Sequence, residues 1–537
     1  MINGPMLNAY PDSMGGTLKE IVNLLSKEEF KDTLAGFYIL PSIYNTDLDR
    51  GFSVIDYSIN KEYATTNDLE TLKKLGIQLK LDFILNHQSV LSKEFQDILK
   101  NGENSKYKDY FINWNKFWEG TGNINKEGYI VPDSKYIEHM FFRKPGLPIL
   151  MVRYPDGKEV PYWNTFYQEV KYPRVDQIDL MQSLDLQYLE AERLTNYINQ
   201  SLSNGILPKD MNIDSKVLNY LEGKRQYLGQ MDVNIQSPLV WQHYEDTLKQ
   251  LSNYGASIVR LDAFAYAPKA VGRPNFLNEP ETWDVLDKVK ELADQYHLEL
   301  LPEIHATYQE KTYLKIAEKG YLVYDFFLPG LLIYTLDSHD PQPLINWIKE
   351  IQDHHIHTVN MLGCHDGIPV LDIKGLLTEE QIQNTIDTIV SRGGYIKNLE
   401  GKKNMYYQVN ATYYSALGED DRKMLLARAI QMFMPGIPQI WYLDILAGKN
   451  NYEALKYGHK EINRTNLSVE EMEEMIKKEV VLKQLDLLRL RNTHPAFGFD
   501  ADLKVEVEGS VMIFTWQKGE HTISLKADLE TYDYEIK

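Results

Sequence analysis

Short apolar runs alternate with amphipathic stretches along most of the chain. Residues 34–40 (LAGFYIL) and 78–85 (QLKLDFIL) predict buried strands, and residues 17–25 and 66–75, which precede them, have apolar positions at helical spacing. Further strand-sized runs occur at residues 257–261, 298–301, 321–327, 357–362 and 437–442. Repeated β-α units over this length predict an α/β fold in which a parallel sheet closes into a (β/α)8 TIM barrel.

Two regions interrupt this alternation. Residues 87–237 form a loop-rich, aromatic block that predicts an inserted B domain, with an extra polar helical insert at about 167–229. Residues 367–418 predict a second inserted loop subdomain, and residues 499–537 (with VEVEGSVMIFTW) predict a small antiparallel β domain. The three parts of the barrel are then residues 1–86, 238–366 and 419–498. Insertions of this kind fall on loops after barrel strands, where active sites are built.

Charge and cysteine content narrow the range of partners. The 537-residue chain carries a net charge of -20, which repels nucleic acid and anionic membranes, so we expect neither as a partner. An anionic substrate would need a local cluster of arginine or lysine. A single cysteine, Cys364, cannot form an intramolecular disulfide, and we see no secretory signal or span-length apolar run, so we expect a cytoplasmic location.

Charged and polar side chains follow four of the predicted strands. They are Asp82, Asn86 and His87; Arg260 and Asp262; Glu303 and His305; and His365 and Asp366. Because the carboxyl ends of barrel strands share one face, these side chains should meet at one mouth. A divalent metal site is the rival interpretation, but the His-x-His pair of His355 and His357 falls where a strand begins, at the far end from the mouth.

The chemistry that such a set of carboxylates supports is glycosyl transfer. In a retaining mechanism one carboxylate attacks the anomeric carbon and a second protonates the departing oxygen. The attacking group must be ionised, and Arg260 favours that form. The general acid must stay protonated, which neighbouring carboxylates favour by repulsion.

The segments DFILNH, IVRLDAFAY, LPEIHA and LGCHDG resemble the four signature segments of the α-amylase superfamily, and in particular its sucrose phosphorylase group. DLDRGFSVIDY, RKPGLP, YQVNATYYSALG and PGIPQIWY extend the resemblance over nearly the whole chain outside the polar insert. The resemblance implies a retaining phosphorylase that converts sucrose, or a related α-glucoside, and phosphate to α-glucose 1-phosphate through a covalent glucosyl-enzyme. It implies no cofactor, since phosphate is a substrate.

The same resemblance implies roles for individual residues. Asp262 would be the nucleophile, Glu303 the general acid/base and Asp366 the transition-state stabiliser. The residues that would hold the glucosyl ring are Asp49, Phe52, His87, Phe166, Gln230, Arg260, His365 and Arg464; the polar insert separates Phe166 from Gln230. The residues that would line the acceptor or phosphate side are Arg143, Lys144, Tyr266, His305, Tyr407 and Gln408.

Two positions on the acceptor side depart from the group. Met405 stands where the group commonly has an aspartate that contacts fructose, and Lys144, preceded by Arg143, stands at the arginine of the RPGLP loop. A lost carboxylate and a basic pair favour an anionic partner, so sucrose 6-phosphate or glucosylglycerate are alternative substrates, with glucosylglycerol a further one. A hydrolase or transglucosidase on the same barrel is a second alternative. A barrel without catalysis is a third, disfavoured because all three acids are present. A homodimer stays open.

Overall fold

Eight parallel strands form one sheet in the computed structural model, which describes residues 2–143, 145–396 and 408–537. In chain order the strands are β1 (Met6–Ala9), β2 (Gly36–Ile39), β3 (Gln78–Ile84), β4 (Ala256–Asp262), β5 (Glu299–Pro302), β6 (Val323–Asp325), β7 (Thr358–Met361) and β8 (Ile437–Trp441). Their order in the sheet is β5-β4-β3-β2-β1-β8-β7-β6, and β5 and β6 contact each other, so the sheet comes close to a closed ring. The predicted TIM barrel is therefore confirmed.

Strand β1 is the barrel strand that the sequence pattern did not predict. Its four residues, MLNA, are too few to show a period, yet all are buried because β1 pairs with β2 on one side and with β8 on the other. The run predicted at 321–327 is shorter in the structure. Asp325 Oδ1 accepts hydrogen bonds from the backbone N–H groups of Phe327 and Leu328, and these bonds turn the chain into the next helix.

Helices surround the barrel. Those that follow the strands are Leu18–Leu25, Thr66–Lys74, Pro238–Asn253, Glu281–Asp294, Thr312–Glu318, Leu328–Ser338, Gln342–Asp353, Asp421–Phe433 and Glu479–Thr493. Local chemistry sets where they begin. Thr65 and Asp68 form a reciprocal capping box, and the Asp420 carboxylate accepts from the N–H groups of Arg422 and Lys423.

Polar side chains fill part of the barrel interior below the mouth. Lys80 Nζ donates to Gln439 Oε1 (2.6 Å) and lies 3.9 Å from the centre of the Tyr38 ring. The Tyr38 hydroxyl donates to Asp82 Oδ2 (2.8 Å), and Asp82 Oδ1 accepts from Arg260 (2.5 Å). This buried column supports the Arg260 side chain from below.

The inserted region after β3 contains short strands and helices. They are His87–Ser89, Lys93–Asn101, Trp114–Phe117, Gly122–Ile124, Ile130–Pro132, Ser134–Ile137, Ile149–Arg153 and Glu159–Trp163. Trp114, Trp118 and Trp163 pack together in a small apolar cluster of their own.

The polar insert is a helical module on a two-stranded base. Its helices are Gln177–Leu184, Tyr188–Ser203 and Ser215–Gly223, and they enclose an apolar cluster that includes Leu180, Ile198 and Leu221. Strands Gln168–Lys171 and Gln226–Asp232 pair antiparallel, with Gln168 opposite Gly229. The chain therefore leaves and re-enters the B region at one place.

After β7, Ile368–Pro369 pairs with Gln408–Val409, and helices Glu379–Ser391, Tyr413–Ala416, Tyr442–Ile445 and Val469–Ile476 complete the later part of the chain. The C-terminal strands are Asp502–Glu508, Val511–Lys518, His521–Asp528 and Tyr534–Ile536, which form the predicted antiparallel sheet. The indole N–H of Trp516 donates to the Phe433 carbonyl (2.9 Å) and ties this sheet to a barrel helix. The boundaries given in the sequence analysis for the three barrel parts, the two inserted regions and the C-terminal β domain stay predictions. Within the described ranges, no helix combines the length and apolar character that crossing a bilayer requires.

Candidate active site

Arg260 stands between two carboxylates at the mouth of the barrel. One of its terminal nitrogens donates to Asp262 Oδ1 (2.9 Å) and the other lies 3.5 Å from Glu303 Oε1. The Asp262 and Glu303 side chains are 14% and 16% exposed, whereas Arg260 is 4% exposed. Both acids therefore reach the mouth and flank one guanidinium, an arrangement compatible with the closely spaced pair of a retaining enzyme.

The pKa values of the two carboxylates shift in opposite directions. Burial raises the pKa of Asp262 to about 7, against the pull of Arg260, and Glu303 adds to the rise. Burial also acts to raise the pKa of Glu303, but Arg260 and His305 outweigh it and lower this pKa to about 2. The sequence led us to expect the opposite order. The order is reversed because the protonated imidazole of His305 lies beside Glu303.

His305 links Glu303 to a second buried acid. Its Nε2 lies 3.3 Å from Glu303 Oε1, its Nδ1 lies 3.3 Å from Asp372 Oδ1, and its ring stacks on Phe326 with centroids 4.1 Å apart. Burial lowers the pKa of His305, but Asp372 and Glu303 outweigh it and raise the pKa to about 10. The sequence analysis did not find Asp372, because it lies in an irregular loop with no periodic signal.

Asp366 is held by cations from the far end of the chain. Lys460 Nζ donates to Asp366 Oδ1, and a terminal nitrogen of Arg464 lies 3.5 Å from the same oxygen. Burial acts to raise the pKa of Asp366, but the neighbouring His365, Lys460 and Arg464 hold it well below its usual range. The pKa of His365 itself is kept low, first by burial. His365 is thus neutral at pH 7, and we assign the charge effect to Lys460 and Arg464. Sequence reasoning missed Lys460.

The residues predicted to hold the glucosyl ring line one side of this mouth. The Phe52 and His365 rings stack with centroids 5.3 Å apart, and His87 Nε2 lies 3.1 Å from the Phe52 carbonyl oxygen. The His87 ring packs against Phe166 (4.9 Å), and burial lowers the pKa of His87 to about 4, so it is neutral at pH 7. Arg464 Nε donates to the His365 carbonyl (2.6 Å).

A tight turn places Asp49 and Phe52. Asp49, Arg50 and Gly51 all have positive φ (56°, 45° and 114°). A Cβ at Gly51 would lie 2.2 Å from the backbone nitrogen of Ser42, so only glycine fits there. Burial raises the pKa of Asp49, and Lys460, Arg464 and the Gln230 side chain oppose this rise.

The structure brings Phe166 and Gln230 together across the insert. The Tyr167 N–H donates to Gln230 Oε1 (3.2 Å), and the Gln230 N–H donates to the Tyr167 carbonyl (3.0 Å). Asn164 Nδ2 donates to the Gln230 carbonyl (2.6 Å). Since the insert closes on its own strand pair, its length does not separate these two positions.

A buried ammonium group joins three parts of the site. Lys269 Nζ lies 2.8 Å from Asp232 Oδ2 and donates to Asn86 Oδ1 (2.9 Å) and the Tyr266 carbonyl (2.7 Å). Asp232 also accepts from the Thr165 N–H (2.8 Å), and the Lys269 and Asp232 side chains are 2% and 0% exposed. Lys269 thus connects the end of β3, the inserted region and the loop after β4. Neither Lys269 nor Asp232 gave a sequence signal.

Arg143 lies against the aromatic side chains on the acceptor side. Its Nε donates to the Tyr266 hydroxyl (3.0 Å), and its guanidinium carbon lies 4.8 Å from the centre of the Phe166 ring and 5.3 Å from that of Tyr266. Gln408 lies opposite Pro369 in the short strand pair after Asp366. Two further predicted acceptor residues, Lys144 and Tyr407, lie outside the described residues.

His357 stacks on Phe499 (4.3 Å) at the start of β7, away from the carboxylates. Within residues 2–143, 145–396 and 408–537 there is no group of three or more His, Cys, Asp or Glu side chains arranged to hold a metal ion.

Comparison with known proteins gives concordant results. A family model described as "Alpha amylase, catalytic domain" matches residues 31–137. The chain is 47% identical to the sucrose 6(F)-phosphate phosphorylase of Ilumatobacter coccineus, over 99% of this chain and 95% of that one. It is 33% identical to the sucrose phosphorylase of Streptococcus mutans, over 100% and 98% of the two chains. The crystal structure of sucrose 6F-phosphate phosphorylase from Thermoanaerobacter thermosaccharolyticum superposes with a TM-score of 0.81 at 34% identity, covering 100% of this chain and 95% of that one.

Identity of this level over the full length of both chains, together with the barrel and the three converging acids, establishes the relationship. The chain belongs to the sucrose phosphorylase group of the α-amylase superfamily.

Proposed function

We propose that this protein is a retaining glucosyl phosphorylase that converts sucrose 6-phosphate and phosphate to α-glucose 1-phosphate and fructose 6-phosphate. The observation that carries the choice of substrate is Arg143, a cation held over the aromatic rings of the acceptor side. The relatives named sucrose 6-phosphate phosphorylases support the same choice.

The proposed reaction is a double displacement. Asp262 attacks the anomeric carbon while Glu303 protonates the departing oxygen, and phosphate then takes the glucosyl group from Asp262. Asp366, kept ionised by Lys460 and Arg464, stabilises the positive charge that develops on the sugar ring. The glucosyl ring occupies the side of the mouth that is lined by Phe52 and the other residues predicted to hold this ring.

An anionic leaving group needs a cation in a mouth that already holds three acids. Arg143 can donate two parallel hydrogen bonds to a phosphate ester, and its contacts with the Phe166 and Tyr266 rings hold the guanidinium on the acceptor side. Met405, outside the described residues, supplies no carboxylate that would repel a phosphate group. Sucrose is uncharged and therefore has no anionic group that could pair with Arg143.

The test compares donors by kcat/KM, which reports only the steps up to release of the first product and so leaves out phosphate binding. Sucrose, sucrose 6-phosphate, glucosylglycerate and glucosylglycerol are each incubated with enzyme and phosphate, and glucose 1-phosphate is measured. A hydrogen bond to a charged group contributes about 1.5–3 kcal/mol, so we expect sucrose 6-phosphate to exceed sucrose by about 10- to 100-fold.

The variant Arg143→Gln should remove most of this preference by lowering kcat/KM for sucrose 6-phosphate alone. Lys158→Gln, which removes an exposed charge elsewhere in the inserted region, is the matched control and should leave the preference unchanged. Equal or faster reaction of sucrose, or equal losses on both donors in Arg143→Gln, would show that the substrate assignment is wrong. Release of free glucose at an unchanged rate without phosphate would instead identify a hydrolase.

We also propose that the enzyme works in the cytoplasm. Its one cysteine, Cys364, is a buried free thiol beside the site, which suits a reducing compartment. A homodimer stays a prediction.

A further inference from the structure

We propose that Asp372 is a positioning residue that keeps the proton of the general acid stored on His305, in contact with Glu303, until the donor binds. This inference rests on the proposed function, because it takes Glu303 as the acid that protonates the leaving group. It addresses the supply of a proton to Glu303, whose pKa Arg260 and His305 lower to about 2 although its role requires a proton.

The geometry is a line of three side chains from two parts of the fold. Glu303 follows β5, His305 lies two residues further on, and Asp372 comes from the loop after β7. The two ring nitrogens of His305 face one carboxylate each, at 3.3 Å on both sides. Phe326, after β6, stacks on the ring at 4.1 Å and prevents it from turning away from this line.

The contact that Asp372 makes with His305 is the main polar contact of its carboxylate. Its side chain is 3% exposed, and its Oδ1 faces Nδ1 of the ring. Its other oxygen, Oδ2, is buried and has no hydrogen-bond partner among the described residues. A buried carboxylate with so few partners is costly unless its charge is matched, and the imidazolium is the cation in contact with it.

The charged and titratable groups around His305 come from each element packed against it. In the part of the chain that the structure describes, Glu303 and Asp372 face it directly, and Phe326 presents only an apolar ring. Arg260 and Asp366 act on the pair through Glu303. The two facing anions are what hold the pKa of His305 at about 10.

The proposed proton movement balances through one turnover. The proton first moves from Nε2 of His305 to Glu303. As the bond between C1 and the leaving oxygen breaks and the bond from C1 to Asp262 forms, Glu303 passes this proton to the leaving oxygen, which leaves Glu303 ionised and His305 neutral. In the second step the oxygen of hydrogenphosphate bonds to C1 and the bond to Asp262 breaks. Hydrogenphosphate gives its proton to Glu303, from which it returns to His305.

Asp372→Asn keeps the size of the side chain and removes its charge, so His305 should lose its proton at lower pH. His305 must be protonated for the first step, so kcat/KM falls as pH rises through the pKa of His305. A lower pKa of His305 therefore moves this fall to lower pH. We expect the alkaline limb of the kcat/KM profile for sucrose 6-phosphate to shift down by at least about one pH unit.

A second donor separates proton supply from general damage. Fluoride leaves α-glucosyl fluoride with little help from an acid, so this donor needs the stored proton least. At pH 10, a shift of one unit should cost Asp372→Asn at least about fivefold in kcat/KM on sucrose 6-phosphate and far less on α-glucosyl fluoride. A purely structural role would lower both donors alike and leave the limb in place, and that result would overturn the proposal.

Two further variants complete the test. If Asp372 acts only through His305, adding Asp372→Asn to His305→Gln should change kcat/KM little beyond the single His305→Gln change. Additive losses would overturn the proposal even if Asp372→Asn folds poorly. Asp387→Asn, an exposed carboxylate on helix Glu379–Ser391, is the control and should match the wild type. Failure of the wild type to form glucose 1-phosphate from either donor would overturn the proposed function instead, and with it this assignment.

Discussion

Replacing Lys269 by methionine should destabilise the protein far more than the loss of an ordinary surface lysine. Lys269 and Asp232 are almost fully buried, and the change removes the cation while it leaves the carboxylate. Breaking a buried pair in this way costs about 3–5 kcal/mol. Asp232 keeps hydrogen bonds from Asn86 (3.0 Å) and from the Thr165 N–H (2.8 Å) and hydroxyl (2.6 Å), so we place the loss near the lower end, at about 3 kcal/mol.

For a chain of 537 residues the entropy of unfolding is large, so 3 kcal/mol corresponds to a fall of only about 3 °C in the apparent Tm. The assay is differential scanning calorimetry at one scan rate, with Lys290→Met as the control. Lys290 pairs with Asp294 on an exposed helix face (2.7 Å; side chains 39% and 58% exposed), and its loss should cost a few tenths of a kcal/mol.

The double variant Lys269→Met, Asp232→Asn removes the stranded charge and should recover part of the loss. KM for the donor should rise in Lys269→Met, because Lys269 also holds Asn86, next to His87, and the Tyr266 carbonyl. Equal Tm values for Lys269→Met and Lys290→Met, or further destabilisation in the double variant, would show that the buried pair does not have the role argued from its burial.

Three further outcomes are expected. Asp262→Ala should lose nearly all turnover, by at least about 10⁴-fold, on every donor, since the variant lacks the carboxylate that forms the covalent intermediate; a normal rate, measured as glucose 1-phosphate release, would exclude Asp262 as the nucleophile. Since burial raises the pKa of Asp262 to about 7 and the nucleophile must be ionised, kcat/KM for the donor should fall about tenfold per unit as pH drops below 7, and a flat profile down to pH 5 would contradict this. Lys460→Met should lower kcat/KM about 10- to 100-fold on sucrose 6-phosphate and on α-glucosyl fluoride alike, because Asp366 loses the ammonium group that positions it. Lys456→Met, at an exposed lysine nearby in the sequence, is the control and should leave kcat/KM unchanged. A loss on only one of the two donors would refute this explanation.

The sequence predicts the strand ends well, and the reason is local. Asp262 and Glu303 directly close apolar runs, so the strand and its terminal acid are read from the same few residues. Lys269 and Asp372 lie in irregular loops and Lys460 lies in the short 3-10 helix His459–Asn463. These segments are too irregular or too short to show a period, and each residue acquires its partner only when distant segments meet. The strand β1 is missed for a different reason, because four residues carry too little pattern.

The pKa values of the site residues could not be predicted from residue types alone. Arg260 and neighbouring acids indicated the expected order of ionisation for Asp262 and Glu303, but the order depends on His305 and on burial, which the sequence does not give. The acceptor side shows the same limit. Arg143 and Lys144 were indistinguishable as adjacent basic residues, and the structure describes the contacts of Arg143 alone.

The strand pair at the base of the helical insert uncouples the length of this region from the shape of the sugar pocket. Residues can be gained or lost beyond Lys171 and Gln226 while Phe166 and Gln230 keep their register, so evolution could enlarge or trim this module without re-optimising catalysis. An alignment of relatives should accordingly place its gap inside the module and keep both flanking strands aligned. A gap placed directly after Phe166 would instead align a different residue of the relatives with Gln230.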